Sequence, residues 1–474
     1  MITRKLRALA LLLAALAALA AAPAGAQVVL QQAPEAASGY VEKSGWVAQH
    51  YMVAAANPHA TEAGYKMLKL GGSAIDAAIA AQMVLTLVEP QSSGIGGGAF
   101  LLHFDGKKVQ AFDGRETAPA GATDKLFQRP DGTPLSRAEG VVGGRSVGAP
   151  GVLRMLQMVH RQHGRLPWKT LFGPAIALSE HGFAISPRMA RLVARDPHLR
   201  KDPASAAYYF DPAGQPWPVG HILKNPALAT TLREIAAGGA DAFYRGRLAR
   251  DIAAKVAAHP TNPGLLTAAD LGAYQAKLRD PVCSDYRRWT VCGMPPPSSG
   301  GIAIAQMLGM LETTGIGKLA PVDDVPGADA VHLFSEAGRL AFADRNRYVA
   351  DTDFTPLPAG GIRGLLDKNY LARRAALIGP RSMGTAMPGT PPGLDVAWGK
   401  DNAIENPSTS QLVVVDRRGN GLSMTTSVED AFGARQMVDG FMLNNQLTDF
   451  SFDSQDENGP IANRVQAGKR PRSA

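Results

Sequence analysis

The sequence predicts an α+β protein with a large core, and three observations carry that reading. Two helical segments lie near the start, strand pairs flank loops at both ends, and the middle alternates amphipathic helical stretches with turns. The 474 residues are 45% hydrophobic and 19% charged. That is enough apolar material for one large core or two domains, and too little charge for a disordered chain.

Residues 1–26 predict a signal peptide. Arg4, Lys5 and Arg7 form a basic start, residues 8–22 an Ala/Leu-rich run, and Ala24-Gly25-Ala26 a small-residue cleavage site. The run falls short of the ~20 residues that span a bilayer. Gln27 stands where a lipoprotein would need Cys. The expected location is periplasmic or secreted, with no membrane contact once the signal is removed. The formal charge of +8 is mild, and no dense basic tract carries interleaved aromatics, so nucleic acid is not an expected partner.

The elements follow in order. NPHATEAGYKMLKLGGSAIDAAIAAQMVLTLVEP reads as two helices. Pro58 suits a first turn, Gly71-Gly72 ends the first helix, and Ser73 caps the second with Asp76 three residues on. The second helix is nearly all apolar and should be buried. SSGIGGG (92–98) precedes two short strands, AFLLHF and KVQAFD, with Arg115 at a strand end. GMPPPSSGG (293–301) reads as a rigid loop, and helices follow at IAIAQMLGML and VHLFSEAGRLAFADRNRYVA. Residues 384–408 have no apolar periodicity and four prolines, which predicts an extended, mobile connector. QLVVVDRRGNGLSMTTS reads as a hairpin turning at 417–420. In PVCSDYRRWTVCG, a two-residue Arg287-Arg288 turn sets Cys283 opposite Cys292 at a non-hydrogen-bonded pair. That geometry and an exported compartment favour a disulfide.

Several motifs allow more than one chemistry. GRSVG (144–148) matches the nucleophile elbow of serine hydrolases, but Pro150 and Gly151 interrupt the helix that must follow Ser146, so a Gly-rich turn is expected. His160 and His163 have a spacing that metal ligands use, yet they end a helix before Gly164, which favours a solvated helix end. SSGIGGG would either cradle an anion with its amides or let another segment pass close. Arg115 would either grip a carboxylate or pair with an ordinary acid. STSQLVVVD places Thr409 at a strand mouth. A β-branched residue starting a strand explains it. So does self-cleavage that frees Thr409 as an N-terminal nucleophile whose amine takes the proton.

Taken together, NPHATEAGYKMLKLGGSAIDAAIAAQMVLTLVEPQSSGIGGGAF, FDGRETAPA, GMPPPSSGG, FADRNRYVADTDF, STSQLVVVD, GFMLNNQLTDFS and GKRPRS make the chain resemble the γ-glutamyltranspeptidase family of N-terminal nucleophile hydrolases, from about residue 46 onward. The resemblance implies a four-layer αββα sandwich. It implies a precursor cut between Ser408 and Thr409 into two associated subunits, residues 27–408 and 409–474. Thr409 would then cleave glutathione and other γ-glutamyl compounds through a γ-glutamyl ester and pass the group to water or to amino acid or peptide acceptors. Arg115 matches the residue that holds the substrate α-carboxylate. Asp449, with Gln446 beside it, matches the holder of the α-amino group. Ser427 matches a hydroxyl that steadies the threonine amine. Glu429 matches a position near the amino group, and Ser473 the first of two C-terminal serines. No cofactor and no metal is expected.

The sequence departs from the family at Gln411, where His is usual, and after Ser473, where the second serine and a Gly-Gly oxyanion hole would follow Lys469 to Ser473 but Ala474 ends the chain. The expectation drawn from this is a C-terminally truncated chain with little activity alone. The short stretch between Asp449 and Lys469 leaves little room for a lid, so an open site is expected. Two alternatives stand beside the main reading: a β-lactam or glutaryl acylase of the same fold, and a non-catalytic exported relative.

Overall fold

In a computed structural model, the described residues are 45, 47–401, 403 and 408–473. The predicted signal peptide lies outside them, as do residues 404–407 of the approach to Thr409. The chain opens with strand β1 (Met52–Ala55), helix α1 (Pro58–Lys69) and helix α2 (Ala74–Val88). Both helices start as their sequences dictate. Asn57 caps α1 by accepting from the His59 amide, with Pro58 in the first turn. Ser73 and Asp76 form a reciprocal capping box on α2. Every residue of α2 is buried, so each of its Ile, Leu, Val and Met side chains contributes about 1.5–3 kcal/mol of apolar burial.

Strands β2 (Gly98–Phe104) and β3 (Val109–Gly114) follow, then helices α3 (Arg137–Val141) and α4 (Val152–His163). Short helices fill much of 168–273. Next come β4 (Lys277–Arg279), the hairpin β5 (Val282–Tyr286) and β6 (Trp289–Gly293), and helices α5 (Gly300–Glu312) and α6 (Ala328–Tyr348). The hairpin β7 (Ser410–Val415) and β8 (Gly421–Ser427) completes the main sheet, whose order is β1-β7-β8-β2-β3-β4. Its ladders are antiparallel throughout.

Helix α2 packs on β7 and β8, and α4 packs on β2 and β3. Leu412, Val414, Leu422 and Met424 point into that helix-covered core. On the opposite face Val413, Val415 and Phe104 are exposed. The described residues thus build one helix-covered sheet and a second helical group around α5 and α6. The second large sheet of a four-layer sandwich is not among them, where every other sheet has two strands. Among them, too, no helix is long and apolar enough to cross a membrane.

The structure decides several of the open local readings. Cys283 pairs with Cys292 across β5–β6 and the two form a disulfide, with Cα atoms 4.0 Å apart. Ser146 lies in a buried 3-10 turn and donates to the Val141 carbonyl at 2.7 Å, so it is no exposed nucleophile. The histidine pair is not a solvated helix end. His160 Nε2 sits 2.9 Å from the Leu166 carbonyl, and the His163 ring packs on His103 with centroids 4.2 Å apart. The 384–408 segment has no helix or strand in its described part. It is tied down all the same, by a Gly399–Ile461 bridge and by Asp401, which pairs with Arg472 at 2.9 Å.

SSGIGGG proves to be a close-approach segment. A Cβ on Gly96 would lie 2.1 Å from the Met442 carbonyl oxygen, on Gly97 2.0 Å from that of Ser427, and on Gly98 2.2 Å from a Glu116 oxygen. Gly97→Ala should therefore lower the unfolding midpoint, by about 1–3 kcal/mol of overpacking. Gly121→Ala, where the nearest atom is 4.0 Å away, should leave it unchanged. Equal midpoints for the two variants in urea melts would contradict the close-approach assignment.

Candidate active site

Four strand ends meet at one end of the sheet. In the β7–β8 ladder Thr426 pairs with Ser410, so the next residues out, Ser427 and Thr409, face each other. Ser427 pairs with Gly98 on β2, and Ala99 pairs with Gly114 on β3, which sets Arg115 beside Gly98. Antiparallel register alone thus lines up Thr409, Ser427, Gly98 and Arg115. The loop after β8 adds Glu429, at φ +80°. A 3-10 turn, Gln446–Asp449, supplies Gln446 and Asp449. The C-terminal segment passes over Arg115 and brings Ser473 into a parallel bridge with Ser298. Thr409, Ser427, Arg115, Glu429, Gln446, Asp449 and Ser473 all line one cavity of about 150 Å³.

The chain is continuous through Ser408–Thr409, and its geometry there is specific. Ser427 Oγ donates to the Ser408 carbonyl oxygen at 3.0 Å and accepts from the Glu429 amide at 2.9 Å. The Thr409 hydroxyl makes a longer contact, 3.4 Å, to the same Ser427 oxygen. Ser408 is buried and donates to the Gln91 carbonyl at 3.2 Å. In the uncut chain, then, Ser427 serves the carbonyl before Thr409, where the resemblance implied the threonine amine.

The charged groups form two buried pairs. Arg115 pairs with Asp449, and its other donors reach the Pro471 and Arg472 carbonyls at 3.0 Å each. Gln446 Nε2 donates to the same Asp449 oxygen at 2.8 Å, while Gln446 Oε1 is buried with no hydrogen-bond partner among the described residues. Glu429 pairs with Arg137 at 2.5 Å and also accepts from Asn445. Burial, reinforced by the Asp449 charge, pushes the Glu429 carboxyl above its ordinary range, and Arg137 opposes that shift. Ser473 is held through its carbonyl, by Ser299 Oγ at 2.8 Å and Arg345 at 3.0 Å.

Other contributors were not singled out in the sequence. Arg137 lies 292 residues from its partner Glu429. Asn444 bolts the site loop to the glycine segment by donating to the Gly96 and Gly148 carbonyls at 2.8 and 3.0 Å. Glu116 had a signal, its place beside Arg115 in FDGRETAPA. It is fully buried beneath Gly98, both its oxygens lack a hydrogen-bond partner among the described residues, and burial raises it to about 8.

A carboxyl raised from 4.5 to about 8 takes up a proton on folding. Below the lower value it costs nothing, and its penalty grows as pH rises through that window. Glu116→Gln should therefore melt close to the parent at pH 4.5 and above it at pH 8, by on the order of a few kcal/mol. Equal shifts at both pH values would contradict the assignment.

The family profile described as Gamma-glutamyltranspeptidase matches residues 60–474. The chain is 36% identical over 434 residues to the glutathione hydrolase proenzyme of Bacillus subtilis (strain 168), covering 89% of this chain and 71% of that protein. Among solved structures, it matches cephalosporin acylase from Bacillus halodurans with a TM-score of 0.76 at 28% identity, over 93% of this chain and 77% of that one. It matches γ-glutamyltranspeptidase from Helicobacter pylori with a TM-score of 0.66 at 31% identity, over 73% of this chain and 97% of that one. The residues in the cavity are thus set in a chain that belongs to the γ-glutamyltranspeptidase family of enzymes.

Proposed function

We propose that this protein cuts itself between Ser408 and Thr409 and then uses Thr409 to hydrolyse or transfer γ-glutamyl groups. The observation that carries this reading is Ser427, whose hydroxyl contacts both the Thr409 hydroxyl and the Ser408 carbonyl oxygen. Attack of Thr409 Oγ on the Ser408 carbonyl carbon builds negative charge on that oxygen, where the Ser427 O–H already points. The C–N bond breaks, the nitrogen takes the proton that Thr409 loses, and an ester joins Ser408 to Thr409. Water opens the ester and leaves a free amine on Thr409. The two resulting subunits stay together through the β7–β1 and β8–β2 ladders.

The same pocket suits the head of a γ-glutamyl compound. Without substrate, Arg115 and Asp449 satisfy each other. A zwitterionic glutamyl group replaces that one pair by two, its carboxylate on Arg115 and its ammonium on Asp449 and the unpartnered Gln446 Oε1. Thr409 then attacks the γ-amide carbonyl, the leaving amine takes the proton held by the Thr409 amino group, and water or an acceptor amine resolves the ester. The Cys283–Cys292 disulfide supports export to an oxidising compartment as part of this reading.

A second reading is an acylase for substrates without an α-amino group. It is favoured by the engagement of Glu429 with Arg137 and Asn445, which leaves that carboxylate less available to an ammonium.

Intact-mass analysis tests the first step. The parent should split at 408/409, Thr409→Ala should stay whole, and Ser427→Ala should split slower by about 10²–10³. Prompt cleavage of Thr409→Ala would refute the mechanism. Titration calorimetry with S-methylglutathione and a glutaryl amide tests the second. Arg115→Met and Asp449→Asn should each weaken S-methylglutathione binding at least about 30-fold. A glutaryl amide bound as tightly as S-methylglutathione, and indifferent to Asp449→Asn, would favour the acylase.

A further inference from the structure

A second cleft, of about 890 Å³, lies away from Thr409 and shares none of the catalytic residues. It falls within the size range of small-molecule sites, about 300–1,000 Å³. Helix α3 stands between the two sites. Arg137 reaches Glu429 in the catalytic cavity, while Glu139, two residues on, lines the cleft.

The cleft carries surplus positive charge and unmet hydrogen-bonding capacity. Its two carboxylates are already engaged: Asp202 by Lys255, and Glu139 by Arg129 at 2.7 Å. The Arg145 guanidinium is held by neutral oxygens, Asn262 Oδ1 at 2.7 Å and the Leu126 carbonyl at 2.8 Å, so its charge is not cancelled there. Lys201 stands exposed at the rim. His259 Nδ1 accepts from the Asn262 amide at 3.0 Å, which leaves the proton of the neutral ring on Nε2, a donor. Gln436 lines the cleft at 1% exposure, and neither its amide nitrogen nor its amide oxygen has a hydrogen-bond partner among the described residues. A buried unpaired amide is destabilising, so a ligand that reaches it recovers that cost.

We propose that this cleft is a second binding site, for a small polyanion bearing phosphate or carboxylate groups. Arg145 and Lys201 supply the charge, His259 a neutral donor, and Gln436 the fixed polar contact. Arg435 also lines the cleft but is committed to Asp196 at 3.0 Å and Asp430 at 3.2 Å, where it holds the wall.

The test is titration calorimetry of the full chain with inorganic phosphate and, separately, with citrate. Binding of either probe with a Kd of about 1 mM or tighter is expected, and the probe that binds tells which anion chemistry the site prefers. Lys201→Glu or Gln436→Leu should weaken it at least about tenfold, while Arg115→Met, in the catalytic cavity, leaves it intact. Melting without ligand identifies any variant that fails to fold. Exposed Lys201 provides the readout if Gln436→Leu does. Absence of binding by both probes, binding unaffected by either cleft substitution, or binding lost with Arg115→Met would overturn the proposal.

Discussion

Everything at the site depends on the register of one antiparallel sheet. Thr409 and Ser427 face each other because β7 and β8 are joined by a tight turn that fixes their pairing. Gly98 and Arg115 extend the row because β2 and β3 continue the same ladder order. A one-residue slip would turn Leu412 and Val414 out of the core, so the apolar alternation of β7 guards this alignment. The glycines at 96–98 serve the same end. They let the segments carrying Met442, Ser427 and Glu116 come closer than any side chain would allow.

The second constraint is electrostatic. Burying Arg115, Asp449, Arg137 and Glu429 around so small a cavity is tolerable only because they are paired. On the proposed function, a zwitterion with one charge of each sign would take the place of contacts the protein already makes. Glu116 is the exception. It lies under the site with no hydrogen-bond partner for either oxygen among the described residues, and burial favours its neutral form. Ser427 joins the site to the fold: its hydroxyl touches the Ser408 carbonyl oxygen and the Thr409 hydroxyl, and its own backbone belongs to the central ladder.

Local chemistry was readable from the residues. The Ser73–Asp76 cap, the burial of the Ala-rich helix, the β7–β8 hairpin and the Cys283–Cys292 pairing each rest on one short contiguous stretch, where spacing determines geometry. That these residues meet in one cavity was suggested only by family likeness, because Arg115 and Asp449 are 334 positions apart and no local pattern joins them. What escaped was long-range. Arg137 is an unremarkable basic residue until α3 brings it to Glu429. The connector before Thr409 has a loop's composition, yet Asp401 ties it to Arg472. SSGIGGG fits an anion cradle as well as a close approach until the facing carbonyls are known.

The most direct test of the account is a covalent label. A γ-glutamyl phosphonate ester, which forms a stable adduct with an activated hydroxyl, is incubated with the protein and the labelled fragment is mapped by mass spectrometry. The account predicts one adduct, on the Thr409 oxygen of a fragment that begins at Thr409. A label on another residue, or on Thr409 within an uncut chain, would contradict it.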